Sequence, residues 1–202
     1  MKIALIGATG NVGSRILAEL SRRHHTVTAI VRNPDRVPAL PGVTPRKADV
    51  DDVNGLAAAL KGHDAVVSAV HFTASDPRKL IAAVHAAGVS RYLVVGGAGS
   101  LEVAPGVKLI DTPEFPAIYK PEAAAGGVFL DLLRKETRLD WTYLSPSALF
   151  VPGERTGKFR LGGDQLLSNE KGSSISFEDY AIALADEIER PAHSRQRFTV
   201  GY

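Results

Sequence analysis

The sequence predicts an α/β fold, a doubly wound parallel sheet, on three observations. Short apolar or β-branched runs alternate with helical patterns from the first residue onward. The run Lys2–Ile6 has no polar face past its lysine, as expected of a strand covered by helices on both sides. Glycines cluster where a strand run ends, at Gly7–Gly13 and again at Gly96–Gly99. Strands that alternate with helices join in parallel through right-handed crossovers.

Each element follows from its residues. Lys2–Ile6 is the first strand. Asn11–Ser21 is an amphipathic helix, with Val12, Ile16 and Leu20 at i, i+4, i+8 and Leu17 beside them. Thr26–Val31 is a β-branched second strand broken by Asn33-Pro34, because proline lacks a donor and restrains the residue before it. Arg36–Pro45 carries three prolines and reads as loop, leading to a short third strand at Thr44–Ala48. Asp52–Leu60 is a short helix stopped by Gly62, and Asp64–Val70 is the fourth strand. Ser75-Asp76-Pro77 opens a helix with Leu80, Ile81, Val84 and Ala87 on its apolar face and Gly88 at its end. Arg91–Val95 is the fifth strand.

The second half is less regular. Pro105–Pro121 is a proline-rich connection with aromatic residues. Glu122–Lys135 is helical, with Ala125, Phe129, Leu132 and Leu133 inward, and Asp140–Phe150 contains the sixth strand. Gly153–Gly172 is polar and glycine-rich and reads as a hairpin around Phe159–Leu161. Ser176–Asp179 resembles a capping box and starts a helix to Glu189, with Phe177, Ala181, Leu184 and Ile188 inward; Pro191 ends it and Phe198–Val200 is a last strand. No repeat or linker divides the chain, so one domain is expected over residues 1–202. A small C-terminal lobe, roughly residues 101–202, contributes to that same domain.

Composition narrows the function classes. The 202 residues are 45% hydrophobic and 23% charged, with a net charge of +2, so no basic field suggests a nucleic-acid partner. The absence of cysteine excludes disulfides, thiolate metal sites and thiol nucleophiles. The opening Met1-Lys2-Ile3 leads into no signal-peptide region, and no uncharged apolar run approaches the ~18 residues of a membrane span. The expectation is a cytoplasmic protein without membrane or metal, monomeric or homodimeric.

The sharpest motif is Gly7-Ala8-Thr9-Gly10-Asn11-Val12-Gly13, a GxxGxxG turn between strand and helix. Gly7 permits the tight turn, Gly10 lets a pyrophosphate approach the backbone, and Gly13 lets helix and sheet pack closely. The helix start then offers free N–H groups to the phosphates. Thr9, Asn11 and Val12 complete the predicted dinucleotide contact. The second strand ends on Val31-Arg32-Asn33 rather than on a carboxylate. A guanidinium can grip a 2′-phosphate where a carboxylate would repel it. Arg32, assisted by Arg36, therefore favours NADP(H) over NAD(H), and Asp35 lies beyond Pro34 in the wrong part of the turn. Ligands of such sheets sit beyond the carboxyl ends of the strands. Asp49-Val50 would flank the adenine, Ala69-Val70-His71 and Gly97-Ala98 the ribose and nicotinamide, and Pro146-Ser147 would close the nicotinamide side.

The catalytic side is sparse. Tyr119 is followed four residues later by Ala123, Tyr92 by Gly96 and Tyr143 by Ser147, so no Tyr-x-x-x-Lys pair exists for carbonyl or alcohol chemistry. Ser100 and Tyr119 are the candidate proton donors. No nucleophile elbow or phosphate-loop lysine supports a hydrolase or kinase.

Together, GATGNVG (7–13), VRNP (31–34), RYLVVGGAGSL (91–101), WTYLSPSALFVPGERTGKFRLG (141–162) and ISFEDYAIALADEIE (175–189) resemble the atypical short-chain dehydrogenases, nearest the NmrA-like NAD(P)H-flavin reductases, with biliverdin reductase B more distant. The resemblance spans essentially the whole chain. It implies a Rossmann domain with a small substrate lobe, NADPH held by Gly7, Gly10, Gly13 and Arg32, and hydride transfer to a flavin, a quinone or another flat acceptor. Gly97, Ala98, Tyr119 and Pro146 would line the acceptor pocket. The missing Tyr/Lys pair fits equally a dinucleotide-binding sensor of NmrA type without turnover. An epimerase or dehydratase is disfavoured by the same gap and by the short chain.

Overall fold

The computed structural model describes residues 1–202. Its elements are β1 (Lys2–Ile6), α1 (Asn11–Arg22), β2 (Thr26–Val31), β3 (Val43–Lys47), α2 (Val53–Leu60), β4 (Ala65–Ser68), α3 (Pro77–Ala87) and β5 (Arg91–Val95). There follow β6 (Glu102–Ala104), β7 (Val107–Lys108), α4 (Lys120–Arg134), β8 (Asp140–Pro146), β9 (Leu149–Val151), β10 (Arg160–Gly162), β11 (Ser174–Ser176), α5 (Phe177–Glu189) and β12 (Gln196–Gly201).

One eight-stranded sheet runs β10-β12-β8-β5-β4-β1-β2-β3, parallel except for β10 at the edge. This is the doubly wound Rossmann architecture. The first three strands build outward from β1 to one side, and the chain then crosses to β4 and builds to the other. That reversal opens a crevice between the carboxyl ends of β1 and β4, where ligands of such sheets sit. Two apolar layers sandwich the sheet. On one face α1 contributes Ile16, Leu17 and Leu20 and α5 contributes Tyr180, Leu184 and Ile188. On the other, Leu56, Leu60, Leu80, Val84, Phe129 and Leu133 from α2, α3 and α4 pack on Ile6, Val66 and Tyr92. Ends are capped as the residues require: Asp52, Asp76 and Ser176 accept backbone N–H groups of α2, α3 and α5, and Gly88 closes α3 in a left-handed conformation. No helix is long and apolar enough to cross a membrane.

Three expectations are corrected. Residues 153–172 form no hairpin: β10 pairs antiparallel with β12 instead. The reason is that the segment before it is already committed, its Gly153, Thr156 and Gly157 N–H groups donating to Glu178 and Asp179 at the start of α5. The third strand starts one residue earlier than expected, at Val43, set by its register against Val27; Pro45 is tolerated because β3 is the outer strand. The Asp140–Phe150 run divides into β8 in the main sheet and β9, which leaves it to pair with β11.

Candidate functional site

The turn after β1 is built by what its glycines lack. Gly7 has φ +83°, and a Cβ there would lie 2.5 Å from the Ala69 carbonyl oxygen. A Cβ on Gly13 would collide with the Gly7 carbonyl oxygen, so the first turn of α1 packs directly on the strand end. Gly10 is the N-cap of α1; it offers no side-chain cap, and the first turn carries no acidic residue. The leading N–H groups of α1 therefore face open space uncompensated, a place for an anion.

This turn forms part of the wall of an open cleft of about 1650 Å³ along the carboxyl ends of the strands. The structure brings Gly7, Thr9, Gly10, Asn11, Val12, Arg32, Asp49, Val50, Ala69, Val70, His71, Gly97, Ala98, Tyr119 and Pro146 to that cleft. Gly13 lies behind it, buried at the strand–helix contact. Arg32 and Arg36 are both exposed at its β2 end, and neither guanidinium has a partner within the protein. Asp35 does not reach the cleft; its N–H donates to Asn33 Oδ1 and turns the chain away.

Ser100 does not line the cleft. Arg197 donates to its hydroxyl at 3.0 Å and to its carbonyl, and Arg197 is itself paired with Asp164. The signal that misled is proximity in sequence to Gly97 and Ala98; the chain turns away after them. Tyr119 stands on the rim, 62% exposed, just before α4, with no hydrogen bond from its hydroxyl. The other tyrosines are structural. The Tyr143 hydroxyl accepts from Gly97 N–H and donates to the Gly126 carbonyl, and Tyr180 donates to the Leu144 carbonyl. Burial pushes both phenols well above their ordinary range.

Aromatic and apolar side chains also line the cleft, among them Phe72, Phe115, Leu149 and Phe150; Phe72 packs with the core on the α2–α4 face of the sheet and Phe150 with that on the α1–α5 face. Phe72 lies against Tyr143 and edge-on to Phe129, and Phe150 packs edge-on to Phe177. No lysine lines the cleft. Sequence reasoning missed Glu122 in the first turn of α4, which binds the segment leaving β4. Its carboxylate accepts from the N–H groups of Phe72 (2.7 Å) and Thr73 (3.0 Å), from the Thr73 hydroxyl (2.7 Å) and from His71 Nδ1 (3.2 Å). Burial alone would raise this carboxyl; the bonds from Thr73 and Phe72 and the nearby His71 outweigh it and hold the carboxyl below its ordinary range. Only a long-range contact reveals it, since Glu122 lies about fifty residues from its donors.

These features fit a dinucleotide on the structure's own terms: a turn in which side chains would collide, an uncapped helix start and an unpaired arginine at the end of β2. Residues 7–191 match the NAD(P)H-binding family. The uncharacterized protein YwnB of Bacillus subtilis (strain 168) is 45% identical over 211 residues, 99% of this chain and 98% of that one. A crystal structure of a Burkholderia pseudomallei protein, provisionally named an exported protein, is 48% identical with a TM-score of 0.91 and full coverage of both chains. SP1627 of Streptococcus pneumoniae TIGR4, provisionally named an NADH-flavin reductase, is 39% identical with a TM-score of 0.86, covering 100% of this chain and 99% of that one.

Proposed function

The chain belongs to the NAD(P)H-binding family, and on that premise we propose that it is an NADPH-dependent reductase that passes hydride to a flat acceptor of flavin or quinone type. One observation carries this reading. A single cleft is lined both by the unpaired Arg32 and the bare start of α1 and by the aromatic side chains Phe72, Phe115 and Phe150. The relative named as an NADH-flavin reductase supports the same reaction class.

Each residue has a part. Gly7 and Gly13 make the turn, and Thr9, Gly10, Asn11 and Val12 present the start of α1 to the pyrophosphate. Arg32 takes the 2′-phosphate by a charge-assisted fork, with Arg36 beside it. Asp49 and Val50 flank the adenine, and the Ala69–His71 backbone flanks the ribose. Gly97, Ala98 and Pro146 border the nicotinamide side, and Tyr119 stands over the acceptor. When bound, the reduced nicotinamide supplies the hydride. The protein supplies proximity and apolar side chains to hold the rings, which is the main demand of transfer between two flat rings. Tyr143 holds the Gly97 N–H in place and so fixes that border. The same reading puts the protein in the cytoplasm, where reduced nicotinamide is maintained; fractionation tests this against the exported name of the Burkholderia relative.

The test is NADPH oxidation, followed by absorbance, with a panel of flavins, quinones and dyes. Oxidation above the protein-free rate is expected. A second reading, a sensor of NADP(H), is favoured by the absence of any lysine in the cleft. Tight NADPH binding without turnover on any acceptor would overturn the reductase reading in its favour.

A further inference from the structure

Reduction of a flavin or quinone consumes a proton as well as a hydride, and the cleft holds few groups able to give one. Ser147 donates inward, to backbone carbonyls of Leu167 and Val200. Thr112 donates to the Leu109 carbonyl. Tyr119 lines the cleft at its rim, 62% exposed, with no hydrogen bond to orient its hydroxyl or to draw off its proton; Tyr143 and Tyr180 lie outside the lining, buried with their protons on carbonyl oxygens. Among the titratable residues lining the cleft, His71 alone is of a type that changes charge near neutrality.

His71 is also built for the task. It follows the segment whose Ala69 carbonyl touches Gly7, so it stands beside the glycine turn at the reversal point of the sheet. Its side chain is 84% exposed on the cleft surface. Nδ1–H donates to Glu122 Oε1 at 3.2 Å, and Nε2 has no partner in the protein. Its carbonyl accepts from the Ser75 hydroxyl and the Ala74 N–H, which fixes the backbone under the ring. Glu122 is itself locked by three bonds from residues 72 and 73. An imidazole of the cleft lining that a carboxylate holds through one nitrogen, with the other nitrogen free, is the arrangement of a general acid. The other charged groups lining the cleft are Glu114 on the connection before α4, Asp49 and Asp51 after β3, and Arg32 and Arg36 after β2.

We propose that His71 gives the acceptor its proton, with Glu122 as the positioning residue that orients the ring; this rests on the reductase reading above. The acceptor gains a hydride, and with it two electrons, from the reduced nicotinamide, which leaves oxidised, and a proton from Nε2 of His71. The neutral imidazole then regains a proton from water. The backbone of His71 still borders the ribose, while the side chain serves the acceptor.

The test uses the whole chain with NADPH and a quinone, with turnover measured between about pH 6 and about pH 9, where an imidazole titrates. Wild-type kcat is expected to fall as pH rises. His71→Gln should lower kcat by about 100-fold at the acid end and flatten the profile, with NADPH affinity by titration unchanged. Glu122→Gln should lower kcat while leaving the KM for NADPH unchanged, the split expected if the carboxylate serves to orient the ring. A variant His71→Gln that keeps the wild-type profile, or that loses NADPH affinity along with turnover, would overturn the proposal, the second outcome making His71 a structural or ribose contact. If the wild type binds NADPH yet turns over no acceptor, the reductase reading fails first and the proton donor falls with it.

Discussion

Arg32 is the residue on which the proposed choice of NADPH turns. It is exposed, unpaired and at the end of β2, so binding a 2′-phosphate breaks no existing contact. A hydrogen bond to a charged group contributes about 1.5–3 kcal/mol. Arg32→Ala should therefore weaken NADPH by roughly 10- to 100-fold and leave NADH almost unchanged, measured by fluorescence titration; equal losses for both would refute the role. Gly13 tests the other end of the motif. Its alanine variant must move the Gly7 carbonyl or the start of α1, because a Cβ cannot fit between them. Overpacking of this kind costs about 1–3 kcal/mol, and denaturant titration should show that loss together with weaker binding of NADPH and NADH alike. The placement of both was legible in the sequence, Gly13 from the spacing of the glycine turn and Arg32 from the end of the second strand. Glu122 was not, since its four bonds come from a segment brought near by β4 and α4 packing.

At the scale of elements, α1 and α5 pack side by side and are joined by ions as well as apolar side chains. Glu19 on α1 is almost fully buried, 3% exposed, and receives Arg23 from the C-cap of the same helix and Arg155 from the segment that precedes β10. Burial alone would raise its carboxyl; Arg155 and Arg23 outweigh that and hold it below its ordinary value near 4.5. A carboxyl depressed on folding stabilises fully above its unfolded pKa and loses that contribution as pH falls through the folded one. Glu19→Gln should thus cost a few kcal/mol at neutral pH, about the 3 kcal/mol of a broken buried pair. The gap from wild type should close as pH falls below about 4, read from urea midpoints. A gap independent of pH would show that shape, not charge, is at stake. The same contacts explain what the sequence concealed. The strands and helices of the first half were visible in period and caps. The path of residues 153–162 was not, because it is set by Glu19, Glu178 and Asp179 on two distant helices rather than by local turn chemistry. Likewise β9 departs from the main sheet at Ser147, whose N–H and hydroxyl bond to the Val200 carbonyl on β12 while the chain beyond turns toward β11.

For the whole molecule, the cleft sits where the two halves of one sheet diverge, walled by residues that follow β1, β2 and β3 on one side and β4, β5 and β8 on the other. A ligand held there touches both halves at once, so its binding free energy is linked to unfolding of the whole sheet rather than of one loop. Binding to the native state alone adds RT ln(1 + [L]/Kd), about 2.7 kcal/mol at a hundredfold excess over Kd. For a chain of this length each kcal/mol moves the midpoint by about 2–4 °C. NADPH at that excess should raise the thermal midpoint by about 5–10 °C. NADH at the same concentration should raise it much less if Arg32 and Arg36 hold the 2′-phosphate as proposed, since NADH lacks that group. Scanning calorimetry decides the matter. A single transition that moves as a unit is expected, because β4 pairs with β1 across the reversal point and leaves no seam along which the halves could part. Equal shifts from the two cofactors would remove the charge argument for NADPH. A transition that splits, with only one part moving, would mean that the cleft is held by one half of the sheet and that the link between site and fold is local.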